Sequence, residues 1–157
     1  MTSLLRQAQR GDIEGMYRVR MSVRENRFVS MPFPPADYVP AIEQTGRGWV
    51  VEVDRRIVGL AIGNAITGNI WALFVDPAHE RQGHGRRLHD TLVEWLFSQG
   101  LDRLWLSTDP RTRAECFYRA AGWQFVELLP DGQALYELQR AAVAGVTTFG
   151  DVISGRT

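Results

Sequence analysis

Cysteine is almost absent. Cys116 stands alone among 157 residues, so no intrachain disulfide can form and a disulfide-stapled secreted scaffold is excluded. Histidine is scarce, and three scattered histidines with one cysteine show no metal-ligand spacing, so no metal is expected. No window holds the roughly eighteen uninterrupted apolar residues of a membrane span. The first residues, Met1 to Arg6, lack the apolar stretch of an export signal, and the expected compartment is the cytoplasm. Net charge is missing as well. The 18 Lys plus Arg balance 18 Asp plus Glu, which argues against a general affinity for nucleic acid or anionic membrane. Any anion site must therefore be built locally. Internal repeats and low-complexity tracts are not found.

What is present suits one soluble domain: a hydrophobic fraction of 45% in a chain long enough to bury a core without staples. Helical and strand patterns are interleaved, which predicts an α/β or α+β class. Leu4 to Ala8 reads as a strand. Asp12 is placed to cap a helix running to about Asn26, with Ile13, Met16, Val19 and Val23 on one face. Proline makes Met31 to Pro35 irregular, and a second helix is predicted from Pro35 to Thr45, ended by Gly46. Trp49–Val53, Ile57–Ala65 and Ile70–Val75 read as an antiparallel meander with turns at Asp54-Arg55-Arg56 and Thr67-Gly68-Asn69. The longest helix is predicted over Gly83–Gln99, a strand over Arg103–Thr108, and a helix opened by the capping-box spacing of Thr112 and Glu115. Trp123–Leu129 and Gln133–Leu138 form a last hairpin around Pro130-Asp131-Gly132. Residues 1–139 are expected to be a single domain. Residues 140–157 are small and weakly periodic, a tail that is mobile or packed on a neighbour, which leaves room for a homodimer.

The most informative segment is Leu73-Phe74-Val75-Asp76-Pro77-Ala78-His79-Glu80-Arg81-Gln82-Gly83-His84-Gly85-Arg86-Arg87-Leu88. A strand ends, a loop crosses, and two glycines open a long helix. The first amides of that helix have no internal partner and the dipole favours negative charge there, so a pyrophosphate is a natural guest. Arg81, Arg86 and Arg87 add positive charge. By itself the turn reads first as a tight strand-to-helix connection with solvated arginines. A Rossmann site is disfavoured because Leu88 stands where the third glycine would fall, and a Walker A loop because no Gly-Lys-Ser/Thr follows.

Two stretches together resemble the GNAT superfamily of acetyl-coenzyme A N-acetyltransferases. V-D-P-A-H-E-R-Q-G-H-G-R-R-L is similar to its pyrophosphate-binding signature, and L-W-L-S-T-D-P-R-T-R-A-E-C-F-Y-R-A-A-G-W to its strand–helix motif ending in F-Y-x-x-x-G-W. The order of elements matches from about Leu4 to Leu138. The resemblance implies a mixed, largely antiparallel sheet of six to seven strands flanked by about four helices, splayed between the fourth and fifth strands. Two positions depart from the family pattern. Glu80 stands where Gln or Arg is usual, and it must turn away or pair with an arginine. Arg111 stands where Asn is common.

The resemblance further implies that acetyl-coenzyme A is the cosubstrate. Its pantetheine arm would enter the splay and bond the backbone around Leu73, Phe74 and Val75. Its pyrophosphate would meet Arg81, Gln82, Gly83, His84, Gly85 and Arg86. The expected reaction is direct transfer of acetyl to the primary amine of a small molecule, with a protein lysine or amino-terminal acceptor, or a non-catalytic sensor of the cofactor, as alternatives. Tyr118 is the candidate general acid for the leaving thiolate. Asn69 stands where a carboxylate base is frequent, leaving Glu25, His79 or a water chain as candidates. Cys116, two residues before Tyr118, is about 200° away on the helix and is not expected to act as nucleophile. Glu25, Asn26 and Trp71, with Phe28, Phe33 and Tyr38, are expected on the acceptor side. His89 is expected at the surface.

Overall fold

The computed structural model describes residues 2–23 and 33–140. Seven strands and four α-helices are described: β1 Ser3–Gln7, α1 Ile13–Ser22, α2 Tyr38–Glu43, β2 Gly46–Val53, β3 Arg56–Asn64, β4 Ile70–Val75, α3 His84–Ser98, β5 Arg103–Thr108, α4 Arg113–Ala120, β6 Gln124–Leu128 and β7 Ala134–Gln139. The expected mixed α/β class with a split, largely antiparallel sheet is what forms.

Strand order explains the split. β1-β2-β3-β4 make one antiparallel sheet and β5-β7-β6 a second. Between β4 and β5 a single parallel bridge, Asn69 to Trp105, closes one end. Three bonds reinforce it: the Trp105 amide donates to Gly68 O at 3.0 Å, Asn69 Nδ2 to Trp105 O at 3.3 Å, and Trp105 Nε1 to Thr67 O at 3.2 Å. Beyond this clasp the facing edges of β4 and β5 are unpaired.

Alternation sorts side chains into two layers. Trp49, Val51 and Val53 point to the layer under α3 and α4, while Val50, Leu60 and Ile62 point to the layer under α1 and α2. Leu88, Leu92 and Leu96 form an i, i+4, i+8 stripe that is wholly buried, each contributing roughly 2 kcal/mol.

Several expectations need correction. Asp12 does not cap α1 with its side chain; its carboxylate accepts from the Gln9 amide at 2.7 Å and binds Arg6 at 2.8 and 2.9 Å. Arg6 also pairs with Glu52, tying β1 and β2 to the start of α1. The helix expected over 35–45 is a 3-10 turn, Pro35–Asp37, followed by the short α2. Gly46 is not its stop signal but the first residue of β2. A Cβ there would sit 1.8 Å from Gly63 O, so the position tolerates only glycine. Glu115 completes half a capping box: its amide bonds Thr112 Oγ1 at 3.3 Å, but its carboxylate serves the Arg111 amide and the Tyr136 hydroxyl. Arg140, assigned to the tail, is anchored, with its amide on Asp102 O at 2.9 Å and its guanidinium on Phe97 O at 2.7 Å. The rest of the expected tail, and the 24–26 end of the first helix, lie outside the described residues. Among the described residues no helix is long and apolar enough to cross a membrane.

Candidate functional site

The gap between β4 and β5 is a cavity of about 730 Å³. One wall is β4 from Ile70 to Val75, the other β5 from Leu106 to Thr108; α4 contributes Ala114, Phe117 and Tyr118, and Gly85 closes the α3 end. Glu80, Arg81 and Arg113 stand at the mouth. Of the residues expected to hold a cofactor, Leu73, Phe74, Val75, Arg81 and Gly85 line this cavity. Gln82, Gly83, His84 and Arg86 lie on the adjoining loop and first helical turn without lining it.

The chemistry at the helix start follows from its backbone. Gly83 holds φ +86° as the residue before α3, a left-handed conformation that favours glycine, and no side chain caps that end. The first amides are therefore left for a ligand. Arg81, also left-handed at φ 63°, borders the cavity, whereas Arg86 pairs with Asp90 at 2.9 Å and Arg87 donates to Ser3 Oγ at 3.0 Å. His84 is buried, bonded through Nε2 to Gln82 Oε1 at 3.1 Å, and burial pulls its pKa down. Glu80 forms a two-bond pair with Arg113, at 2.7 and 2.9 Å, which meets the demand for an arginine partner.

Tyr118 is buried on the α4 face that looks into the cavity. Its ring packs edge-on against Phe117 at 5.3 Å and Trp123 at 5.7 Å. Its hydroxyl makes no hydrogen bond among the described residues, and burial pushes the phenol well above its usual range. His89 supports this packing and is buried, not at the surface as expected. Trp123 Nε1 donates to His89 Nε2 at 2.9 Å, which leaves Nδ1 to face Asp90 at 2.8 Å. The residue directly before Asp90 on a helix reads as exposed; its partner Trp123 is distant in sequence. Cys116 was expected to look away from the cavity. It is exposed, but the cavity is wide enough at α4 that Cys116 also borders it.

Of the described aromatics expected on the acceptor side, Trp71 lines the cavity, where it stacks on Phe33 with ring centroids 4.7 Å apart and meets Tyr38 edge-on at 5.0 Å; Phe33 and Tyr38 stand behind it and do not line the cavity. Glu25, Asn26 and Phe28 lie outside the described residues. His79 ends a 3-10 turn with a buried Nδ1 that has no partner among the described residues, and it does not line the cavity. Arg111 takes φ +61°, a left-handed conformation that Asn tolerates better than Arg. No cluster of three metal-ligating side chains occurs among the described residues.

Arg20, Asp109 and Gln133, all buried and polar, are not among the residues expected from the sequence. Arg20 had a signal: it stands at i+4 from Met16 and i+7 from Ile13, inside the apolar stripe of α1.

Solved structures share this fold. The ribosomal-protein-S18-alanine N-acetyltransferase of Escherichia coli is 17% identical, covers 88% of this chain and 94% of its own, and superposes with a TM-score of 0.73. An N-acetyltransferase of Staphylococcus aureus Mu50 is 16% identical over 88% and 99%, at 0.75. The PaiA N-acetyltransferase of Thermoplasma acidophilum, in complex with coenzyme A, is 14% identical over 88% and 99%, at 0.70. No curated protein matches the chain. Residues 12–123 match the model of the Acetyltransferase (GNAT) family, and with that match on this fold the chain belongs to the GNAT acetyltransferases.

Proposed function

We propose that this protein transfers an acetyl group from acetyl-coenzyme A to the primary amine of a small molecule by direct attack. One observation carries the reading: a single cavity brings together the unpaired edge of β4, the uncapped start of α3 beside Arg81, and the unbonded hydroxyl of Tyr118. The β4 edge suits the amides of a pantetheine arm, which would add to it as a strand does. The α3 amides and Arg81 suit a pyrophosphate. The complex of the Thermoplasma acidophilum protein with coenzyme A supports that choice of donor.

A neutral amine attacks the thioester carbonyl, an N–C bond forms, and the C–S bond breaks. The amine loses a proton to water or to a nearby base, the thiolate takes one from Tyr118, and water returns a proton to Tyr118 to close the cycle. Alkylamines titrate near 10.4, so roughly one in a thousand or fewer is neutral at pH 7, and a base or dry pocket must raise that share. A β4 amide at the thioester would stabilise the oxyanion, a contribution of roughly 3 kcal/mol in comparable sites. Trp71, held by its stacking on Phe33, presents an aromatic side chain to the cavity, which suits a compact acceptor.

The test is calorimetric titration with coenzyme A, followed by thiol release from acetyl-coenzyme A across a panel of amines. Binding with turnover on a small amine supports the proposal. Binding without turnover on any amine or peptide points to a sensor, and absence of binding refutes the reading.

A further inference from the structure

The chemistry above uses nothing from the β5 wall of the cavity. That wall carries Leu106, Ser107 and Thr108. Alternation sends Leu104 and Leu106 into the core under α3 and α4 and turns Trp105 and Ser107 to the opposite face. Ser107 is half-buried there, across the cavity from β4.

Behind Ser107 stand two buried polar residues. Ser107 Oγ donates to Gln133 Oε1 at 2.8 Å, and Gln133 Nε2 donates to Asp109 Oδ1 at 3.1 Å. Gln133 is 8% exposed and Asp109 4%, and neither lines the cavity. They can act on a ligand there only through Ser107.

The buried end dictates the direction of this chain. A carboxylate accepts and has nothing to donate, so Gln133 must turn its NH2 group to Asp109. That leaves the Gln133 carbonyl toward Ser107, and a carbonyl can only accept. Ser107 must therefore give its one proton inward. A serine hydroxyl otherwise donates or accepts as its partner requires; this one keeps only lone pairs to offer. Among the described residues nothing donates to them. Ser107 is thus an acceptor by construction, matched to a ligand that brings an N–H.

The amides of a pantetheine arm are taken up by the edge of β4, on the other wall. The remaining N–H that the reaction brings to the cavity is that of the acceptor. A neutral primary amine has two N–H bonds and one lone pair. Donating one N–H to Ser107 leaves the lone pair free to meet the thioester.

We infer that Ser107 binds the acceptor amine through Oγ, and that Gln133 and Asp109 are positioning residues that fix this hydroxyl as an acceptor. The inference rests on the acetyl-transfer reading and adds to it the group that holds the amine.

The experiment follows thiol release from acetyl-coenzyme A, with the full chain, over a panel of primary amines that includes phenethylamine and isopentylamine. Ser107→Ala is expected to lower kcat/KM for the amine by about tenfold, the loss of one hydrogen bond, while coenzyme A affinity stays within about twofold. Ser107→Thr keeps the hydroxyl and restores most of the rate. Asp109→Asn lets the Gln133 amide reverse, so it lowers kcat/KM by about threefold to tenfold in the parent and adds nothing further to Ser107→Ala; a merely structural role would lower both backgrounds alike. Gln133→Met cuts the same link and replaces Asp109→Asn if that variant melts too low to assay. An unchanged kcat/KM in Ser107→Ala, or additive losses in the double variant, overturns the inference while leaving acetyl transfer standing. Weaker coenzyme A binding by Ser107→Ala overturns it too, since Ser107 would then be a cofactor contact. Calorimetric titration of the same amines into the coenzyme A-loaded protein reads the contact apart from turnover. Amine binding that Ser107→Ala weakens supports the inference even if no amine turns over and the transfer reading fails. Binding that Ser107→Ala leaves unchanged overturns it, and so does a parent protein that neither binds nor acetylates any amine of the panel.

Discussion

Gly85→Ala should move stability and cofactor affinity in opposite directions. Gly85 is the second residue of α3, and a Cβ built on it would lie 3.6 Å from Val75 Cγ2 and 3.8 Å from Phe117 Cε1, ordinary contact distances. The protein itself therefore has room for the methyl group. Replacing glycine by alanine in a helix reduces the backbone entropy lost on folding, a gain of about 0.5–1 kcal/mol, which is a melting point higher by about 1–4 °C in a domain of this size. The same methyl group protrudes into the end of the cavity where the α3 amides are offered. A pyrophosphate held off by on the order of an ångström would lose one or more charge-assisted hydrogen bonds, about 1.5–3 kcal/mol each. Coenzyme A should bind about tenfold to a hundredfold more weakly. Scanning calorimetry gives the first quantity and titration calorimetry the second. A control comes from Gly83→Ala, where nothing lies within 4 Å of the added atom but φ is +86°. That variant should lose about 1 kcal/mol of stability through strain alone. A Gly85→Ala protein that binds coenzyme A within twofold of the parent would show that the phosphates do not approach this turn.

Other outcomes follow from the same geometry. Tyr118→Phe keeps the packing against Phe117 and Trp123, so melting temperature and coenzyme A affinity should hold, while kcat falls by about a hundredfold or more; an unchanged kcat removes Tyr118 as the acid. Glu80→Gln takes a carboxylate from the cavity mouth and should tighten coenzyme A binding about threefold at low salt, an effect that shrinks as salt is added; weaker binding would show that its pair with Arg113 shapes the mouth instead. Burial lowers the pKa of His89 below the ordinary histidine value, and of His84 likewise. Below about pH 6.5 the unfolded chain takes up protons that the folded histidines resist, so stability must fall as pH drops through that range and level off below the folded values. His89→Leu should flatten that slope, leaving the part due to His84. A slope identical to the parent, measured by melting between pH 7.5 and 5.5, would contradict the burial argument.

Legibility in the sequence followed locality. β4 and β5 were readable to the residue, because alternation runs cleanly between turn formers at both ends. α3 was readable within one residue from its leucine stripe and flanking glycines. The second helix was overextended, since Pro40 and the 3-10 turn before it shorten the run and Gly46 answers to Gly63 across the sheet, a contact no local pattern encodes. The residues expected to hold the cofactor, Leu73 to Arg86, form one continuous segment, so a local pattern could single them out. The buried polar residues are scattered along the chain: Arg20 stands on α1, Asp109 just after β5 and Gln133 just before β7. Only folding buries them and joins Gln133 to Asp109, and that burial has no trace in composition.

The clasp at Asn69 and Trp105 has a mechanical consequence. Two small sheets hinge on one rung, so the angle between them is fixed at the hem and free toward the rim. A guest that lays its own amides along the bare margin of β4 would act as the missing seam, joining four strands to three. Occupancy and rigidity are then coupled, and the apo molecule should breathe most along these two margins.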